Sequence, residues 1–360
     1  MVQSAEQELP PVAVVFDCDM GTSIDDALAL ALLYGFDGMK EARVVSVSVS
    51  RPSLSAAAFC EVMGRFYSGA VDGAFASQRR TLPVGLFSEG QPPADTAMLA
   101  APLSKRNDDG TLVYPHDIEK LNDTADPVAL IRNALTAQHD GNCVVLLAGP
   151  ATNLVRVLDL PGVKDLISAK VKFLSIALGA YSGGPPEAGV MADPPAARRL
   201  LAGWPTPIVA VGEEIGRALP FPAVSIERDF GWAAHHPLVD AYLAYRTMPY
   251  DAPATAMAAA LYTVRPEQNY FRLSKPGVIS VVDDGRTIFT PSSEGKHRYL
   301  IVDPAQRERL IQTYTEIASA QPVPRRPRQR TPQEPPQPAL KDKPAQQPKA
   351  PDLKPAPLGP

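Results

Sequence analysis

Short apolar runs alternate with helix-like stretches along most of the chain. The runs PVAVVFD, RVVSVSVS, CVVLLAG, VKFLSIALG and TPIVAVG have the length and β-branched content of strands buried on both faces. Segments with helical periodicity follow, such as IDDALALALLYG after the first run and ATNLVRVLD after the third. This alternation predicts an α/β fold with a mostly parallel, Rossmann-like central sheet and helices on both of its faces.

Two regions near the end of the chain depart from this alternation. Between Gly277 and Asp303, the runs VISVV, TIFT and RYLIV and the turn sequence DDGR predict an antiparallel hairpin. After Ala320 the chain holds 13 of its 39 prolines and few large apolar residues, so burial there cannot offset the entropy cost of ordering. We therefore expect an N-terminal extension at 1–11, one domain at 12–320, and a disordered, Pro-rich, basic tail at 321–360.

The charge distribution argues against a nucleic-acid binder. The net charge is −4, but the stretch 321–360 carries eight Lys or Arg against three Asp or Glu, so the remaining residues hold −9. An acidic body repels a phosphate backbone and suits a divalent cation. No apolar run reaches the roughly 20 residues of a membrane span, and the start has no signal-peptide pattern. We expect no membrane partner and a cytoplasmic location, or export if a signal peptide has been removed.

Four aspartates lie within ten residues where the first strand ends and the next helix begins, namely Asp17, Asp19, Asp25 and Asp26. Parallel sheets bind ligands at the carboxyl ends of their strands, which places Asp19 on the same rim as Ala148. Helix capping by Ser23 accounts for one or two of the acids at most. Two like charges about 4 Å apart cost roughly 4 kcal/mol at an effective dielectric constant near 20. The cluster therefore indicates a cation, and all-oxygen ligands favour Ca²⁺ or Mg²⁺.

Two enzyme families place such a cluster directly after the first strand. The segment FDCDMGTSID is close to the Asp-x-Asp-Gly-Thr motif of haloacid-dehalogenase-type phosphatases, in which Asp17 would be the nucleophile, but Met20 interrupts the motif. The segment VVFDCDMGTSIDDALAL resembles more closely the signature of the inosine-uridine-preferring nucleoside hydrolases, in a longer-loop variant with two extra residues between the second and third aspartates. The segments LLAGPATNLVRVL, EAGVMADPPAARRLL and YDAPATAMAAAL resemble further family segments in the same order. The resemblance spans roughly Val12 to Leu310.

This resemblance implies a nucleoside hydrolase fold and calcium-dependent hydrolysis of the N-glycosidic bond of a ribonucleoside or related ribosyl compound. It implies one Ca²⁺ whose ligands are Asp19, Asp26, the backbone carbonyl of Ala148 and the carboxylate of Asp251, with Asp17 supporting them from behind. Asp19 would also take the proton of the attacking water. Asp25 would bind the ribose 2′-hydroxyl, and Glu187 the 5′-hydroxyl. Family members are often dimers or tetramers, so we expect a homo-oligomer that binds a small nucleoside-like molecule.

Several positions around the expected base and 5′ pockets differ from the family pattern. Tyr181 and Gly189 replace two asparagines, and Tyr250 replaces the histidine that helps to protonate the leaving base. A phenol is a weaker acid than imidazolium, so Tyr250 is a candidate for a weaker proton donor. Arg51, in the stretch that replaces the family's Gly-Asn, and Tyr181 are candidate substrate contacts. These changes leave a second alternative open, a catalytically weak nucleoside-binding paralogue.

Overall fold

The computed structural model describes residues 10–68 and 82–323. Its strands are β1 (Val12–Cys18), β2 (Ala42–Val49), β3 (Val84–Leu86), β4 (Cys143–Ala148), β5 (Val171–Ala177), β6 (Ile208–Val211), β7 (Phe271–Leu273), β8 (Gly277–Val281), β9 (Thr287–Pro291) and β10 (His297–Val302). They form one sheet in the order β3-β2-β1-β4-β5-β6-β10-β8-β9, and β7 pairs with β10. The pairings from β3 to β10 are parallel, whereas β7, β8 and β9 pair antiparallel. The mostly parallel sheet and the C-terminal hairpin are thus confirmed.

Helices connect most of the strands and begin at residues suited to that position. The described α-helices are α1 (Asp25–Gly38), α2 (Leu54–Tyr67), α3 (Ala97–Ser104), α4 (Pro127–Thr136), α5 (Thr152–Leu158), α6 (Val163–Lys170), α7 (Ala188–Ala192), α8 (Pro194–Gly203), α9 (Glu213–Ala218), α10 (Ala223–Arg228), α11 (Pro237–Tyr245), α12 (Thr255–Val264) and α13 (Arg307–Ala318). Asp126 and Asp193 cap α4 and α8, each with Pro in the first turn. Ser53 caps α2 in the same way.

Both faces of the sheet are covered, because side chains alternate along each buried strand. On β1, Val14 and Phe16 pack into one apolar cluster with α1, α2 and α12. Ala13 and Val15 point into a second cluster with α4, α5 and α8. All four side chains are almost fully buried, as the continuous apolar run in the sequence predicts. The layers are therefore helices, sheet and helices.

The strand order reverses between β1 and β4. From β1 the chain proceeds outwards to β2 and β3, and then returns to the other side of β1 for β4, β5 and β6. Such a reversal leaves a crevice at the carboxyl ends of the two central strands, where open α/β sheets bind ligands. Cys18 and Ala148 pair at these ends, so the aspartates that follow β1 lie directly at the crevice.

The described residues fall within one compact unit, Met1–Arg325. None of the helices in this described part is long and apolar enough to cross a membrane. The predicted N-terminal extension lies almost entirely outside the described residues, and so does the predicted tail beyond Val323. The domain boundaries at 12 and 320 therefore stay predictions.

A buried histidine holds the start of α11, the helix that ends beside the carboxyl-end crevice. The Nδ1 atom of His236 accepts the N–H of Leu238 at 3.2 Å, and its ring is surrounded by Phe66, Phe230 and Trp232. Its exposed fraction is 3%. Burial disfavours the charged imidazolium and lowers the pKa of His236 to about 3. The neutral ring is therefore part of the folded core.

Acid should weaken the fold through this side chain. Because the folded pKa of His236 lies below its unfolded value near 6.5, its contribution to stability is complete above pH 6.5 and is lost as pH falls towards 3, by up to about 1.4 kcal/mol per pH unit. We expect the stability difference between wild type and His236→Asn to shrink between pH 7 and pH 4.5 in urea denaturation. His235 is exposed and provides the control. The stability difference between wild type and His235→Asn should not shrink over this pH range. A difference independent of pH would contradict this assignment.

Candidate active site

A pocket of about 370 Å³ lies at the carboxyl ends of the central strands, within the usual range for small-molecule sites. Asp19, in the loop after β1, and Asp25 and Asp26, at the start of α1, line it, and we call these three residues the acidic floor. Ala148 ends β4 and Gly149 follows it, and Glu187 and Gly189 flank the start of α7. The tyrosine–arginine segment, defined as Tyr245, Arg246 and Tyr250, lines the pocket from the end of α11 and the loop that follows.

Asp19 is held at the crevice from both its backbone and its side chain. Its N–H donates to the carbonyl of Ala148 at 3.0 Å, which ties the end of β1 to the end of β4. Its Oδ2 atom accepts the hydroxyl of Thr22 at 2.9 Å. Arg51 donates to the same Thr22 hydroxyl at 2.8 Å and lies 3.9 Å from Asp19 Oδ2. Arg51 thus supports Asp19 but is not among the residues that line the pocket.

Asp25 and Asp26 have different surroundings although they are adjacent in sequence. The two oxygens of Asp25 accept the N–H groups of Ala256 and Met257 at 2.7 and 3.1 Å, so this carboxylate caps the first turn of α12. Asp26 is 4% exposed, and its Oδ2 atom has no hydrogen-bond partner among the described residues. A buried oxygen left without a partner is costly, and a carboxylate oxygen of this kind is chemically suited to bind a cation.

Asp17 lies behind the acidic floor, as expected for a supporting residue. It is fully buried, and its Oδ1 atom accepts the Ser48 hydroxyl and, at 2.8 Å, the amide of Asn153. It does not line the pocket, so its carboxylate cannot attack a bound substrate. The phosphatase alternative, which needs Asp17 as the nucleophile, therefore has no accessible nucleophile at this position.

Burial shifts all four aspartates towards their protonated forms. Burial raises the pKa of Asp17 and of Asp25 to about 7, against the lowering effect of their hydrogen bonds. Burial likewise raises the pKa of Asp19 to about 6, although Thr22 and Arg51 act in the opposite direction. The pKa of Asp26 is raised well above its ordinary value by burial and then by the charges of Asp19 and Asp25. A cation bound on the acidic floor would favour the charged forms.

The structure does not bring Asp251 to the acidic floor, which corrects the expected ligand set. Asp251 is exposed, and its carboxylate accepts the N–H of Ala223 at 2.8 Å. The next residue, Ala252, forms a two-way backbone bridge with Phe221, and Asp251 is not among the residues that line the pocket, although Tyr250 and Pro253 are. The first turn of α12 lines the pocket instead, through Thr255 and Ala256. Within residues 10–68 and 82–323, no three Asp, Glu, His or Cys side chains form a group able to hold a metal.

Neither of the two substituted tyrosines offers its hydroxyl to the pocket. Tyr250 donates to the carbonyl of Tyr242 at 2.6 Å, and Tyr242 donates to the carbonyl of Tyr250 at 2.7 Å. Their rings stack with centroids 4.4 Å apart, and burial raises the pKa of Tyr250. Tyr181 donates to Leu178 and stacks on Tyr299 outside the pocket. The proton-donor role expected for Tyr250 and the substrate contact expected for Tyr181 are thus not supported.

Glu187 does line the pocket, at the start of α7. Its two carboxylate oxygens accept the N–H groups of Gly189 and Val190 at 2.7 and 3.1 Å. Burial raises the pKa of Glu187, while these hydrogen bonds lower it. Because each carboxylate oxygen has a second lone pair, the side chain can still accept a hydrogen bond from a sugar hydroxyl.

Several pocket residues were not found from the sequence. They are Thr255 on α12, Glu213 and Arg217 on α9, and Tyr245 and Arg246 at the end of α11. Thr255 lies in the segment YDAPATAMAAAL but was not singled out there, and the residues of α9 and α11 belong to no recognisable motif. Only the sheet topology pointed to residues in this region. The segments that follow β5 and β6 begin at the same rim of the sheet as Asp19, because these strands are parallel.

A family model described as inosine-uridine preferring nucleoside hydrolase matches residues 14–312. The chain belongs to this family. Its fold is also that of solved nucleoside hydrolases. A plant nucleoside hydrolase is 20% identical, with a TM-score of 0.63, over 86% of this chain and 100% of that one. An inosine-uridine preferring nucleoside hydrolase from Bacillus anthracis is 18% identical, with a TM-score of 0.61, over 86% and 99%.

A purine-preferring ribonucleoside hydrolase from Gardnerella vaginalis is 17% identical, with a TM-score of 0.62, over 86% and 99% of the two chains. No curated protein matched the chain. Membership of the nucleoside hydrolase family makes this chain a hydrolase that acts on N-glycosyl compounds. The family is typically metal-dependent, and a small nucleoside-like molecule is the corresponding ligand.

Neutralising Asp26 should stabilise the metal-free protein. Asp26→Asn removes a buried charge next to Asp19 and Asp25 with almost no change in volume. We expect the substitution to add about 1 kcal/mol or more, which is a rise of roughly 2 °C or more in Tm for a domain of this size. The measurement is a thermal melt at pH 8 in a chelator. The exposed Asp108→Asn variant is the control and should leave Tm unchanged. A fall in Tm for Asp26→Asn would show that the Asp26 carboxyl group does not destabilise the metal-free protein.

Proposed function

We propose that this protein hydrolyses the N-glycosidic bond of a ribonucleoside or related ribosyl compound in a calcium-dependent reaction, releasing the base and ribose. The observation that carries the proposal is the acidic floor at the β1/β4 crevice, where the buried Oδ2 of Asp26 has no partner and lies near the charge of Asp19. Such a cluster is unfavourable alone and suited to a cation and a diol. Release of a base by such an enzyme would serve its salvage.

The oxygen atoms at the acidic floor suit a cation that prefers oxygen ligands. Two carboxylates would bind it, rather than the three that the resemblance implies. Asp19, Asp26 and the carbonyl of Ala148 supply oxygen donors only, which favours Ca²⁺ over transition metals. Asp251 does not supply the third carboxylate that the resemblance implies, because its side chain accepts the N–H of Ala223. Calcium affinity depends on the number of charged ligands, so we expect a weak site with Kd on the order of 10⁻⁴ M or weaker. When bound, the ion would orient the sugar diol and make water more acidic.

The side chains of this chain divide the remaining work. Asp19 holds one oxygen against Thr22 and takes the proton of the attacking water with the other. Asp25 contacts the 2′-hydroxyl while it caps α12, and Glu187 accepts the 5′-hydroxyl from the opposite side. As the base leaves, positive charge develops on the ribosyl group, and the carboxylates of the acidic floor stabilise that charge. A homo-oligomeric state and a cytoplasmic location are retained as predictions.

A nucleoside panel tests the reaction directly. We expect release of reducing sugar from at least one ribonucleoside with calcium present, and loss of the activity in a chelator with recovery on adding calcium. Calcium binding without cleavage of any ribosyl compound would contradict the hydrolase proposal. Tight nucleoside binding without turnover would instead favour the catalytically weak paralogue.

Two substitutions distinguish a calcium site that lacks Asp251 from the expected site that includes it. In the wild type, calcium at 100 times its Kd should stabilise the fold by about 2.7 kcal/mol. Asp26→Asn should weaken calcium affinity roughly tenfold or more, because it removes one of two charged ligands. Asp251→Asn should change the affinity by less than about twofold, because that side chain faces Ala223. Calorimetric titration measures both, and a large loss in Asp251→Asn would restore Asp251 as a ligand.

A further inference from the structure

We propose that the leaving group of the substrate carries a negative charge, in the form of a heteroaromatic carboxylate, and that Arg246 is the residue that selects it. The inference rests on the proposed function, because it uses the placement of ribose on the acidic floor. It concerns the tyrosine–arginine segment, which has no role in metal or sugar binding. The argument starts from the surroundings of the Arg246 side chain.

Arg246 lines the pocket without a carboxylate partner. Its guanidinium carbon lies 5.4 Å from the ring centre of Tyr250 and 5.8 Å from that of Tyr245. Among the described residues it has neither an ion pair nor a hydrogen bond from the guanidinium. The residue is exposed on the pocket side of α11. Two aromatic rings thus hold a guanidinium whose five N–H donors are available to a ligand.

The second arginine of the pocket provides the contrast. Arg217 Nη1 lies 2.8 Å from Glu213 Oε2, one turn earlier on α9, so its charge is balanced within the protein. Arg51, outside the pocket lining, is engaged with Thr22 and Asp19. Arg246 is therefore the cation of this pocket, within the described part of the chain, that has no anion beside it. A negatively charged ligand would supply that anion.

The sugar contacts assign this segment to the leaving group. With the ribose diol on the acidic floor and the 5′-hydroxyl at Glu187, the tyrosine–arginine segment is a part of the lining left available to the substituent at C1′, beside the ion-paired Glu213 and Arg217. The ring of Tyr245 offers an aromatic surface for a flat heterocycle, whereas one face of Tyr250 is covered by Tyr242. The guanidinium fork matches the two oxygens of a carboxylate. Tyr250 cannot add its phenolic proton, because that proton is donated to Tyr242.

The bond changes are those of ordinary hydrolysis. The oxygen of water bonds to C1′, the C1′–N bond breaks, and its electron pair stays on the ring nitrogen. Asp19 takes the proton of the water. Arg246 forms no covalent bond and acts on binding and on the charge of the leaving group. It is therefore a specificity-determining residue.

A matched pair of ribosides tests the proposal. Nicotinic acid riboside and nicotinamide riboside differ only by carboxylate against carboxamide, and both leave as a pyridine. We expect the wild type to favour the acid by roughly tenfold to a hundredfold in kcat/KM and in Kd, the range of a hydrogen bond to a charged group. Arg246→Gln should abolish most of this preference. Arg217→Gln is the control and should retain it.

Each outcome decides the proposal. A wild type that treats the two ribosides alike, or prefers the amide, overturns it, and so does an equal loss of preference in both arginine variants. If the protein cleaves neutral nucleosides but does not prefer nicotinic acid riboside to nicotinamide riboside, this inference fails and the hydrolase function stands. If no ribosyl compound is cleaved, the function fails, and the ratio of the two Kd values, measured by calorimetry in wild type and Arg246→Gln, still decides the role of Arg246.

Discussion

The contact on which the site depends is the hydrogen bond from the Asp19 N–H to the carbonyl of Ala148. It joins the ends of the two strands between which the sheet reverses its order, so it fixes both walls of the crevice at once. Asp25 extends this arrangement to α12, 231 residues away in the sequence, by accepting two of its first N–H groups. Asp17 is clamped between Ser48 and Asn153 behind them. Hydrogen bonds from four parts of the chain thus gather carboxylates that would otherwise separate.

That arrangement has an energetic cost which the rest of the fold offsets. The carboxylates are buried close together, and each is pushed towards its protonated form. The sheet beneath them is covered on both faces by large apolar clusters, and such burial is the main favourable contribution to folding. A strained, acidic site on a well-packed base is typical of sites that gain their stability from a ligand.

The sequence was most informative where function imposes residue types at short spacing. The strands, the aspartates after β1 and the family could be predicted because each depends on local pattern. Asp251 was expected as a ligand because YDAPATAMAAAL resembles a family segment, and the resemblance does not show which way the side chain points. In the fold its carboxylate accepts the N–H of Ala223, whereas Pro253, Thr255 and Ala256 line the pocket. Tyr250 failed for a related reason, since no sequence pattern shows that its hydroxyl would bond to Tyr242 rather than face the substrate. The direction in which a side chain points depends on tertiary contacts, which only the folded chain supplies.

The missing third carboxylate and the unpaired arginine are connected by charge. In the proposed site Asp19 and Asp26 balance a divalent cation, while Asp25 and Glu187 keep the sugar end of the pocket acidic. A third carboxylate there would add a further negative charge and would oppose the binding of an anionic leaving group. Asp251 is not part of the lining and adds no such charge, and the guanidinium of Arg246 adds an attraction. A weak metal site and an anionic substrate are therefore consistent with each other, whereas a tight three-carboxylate site would oppose the selectivity that Arg246 provides.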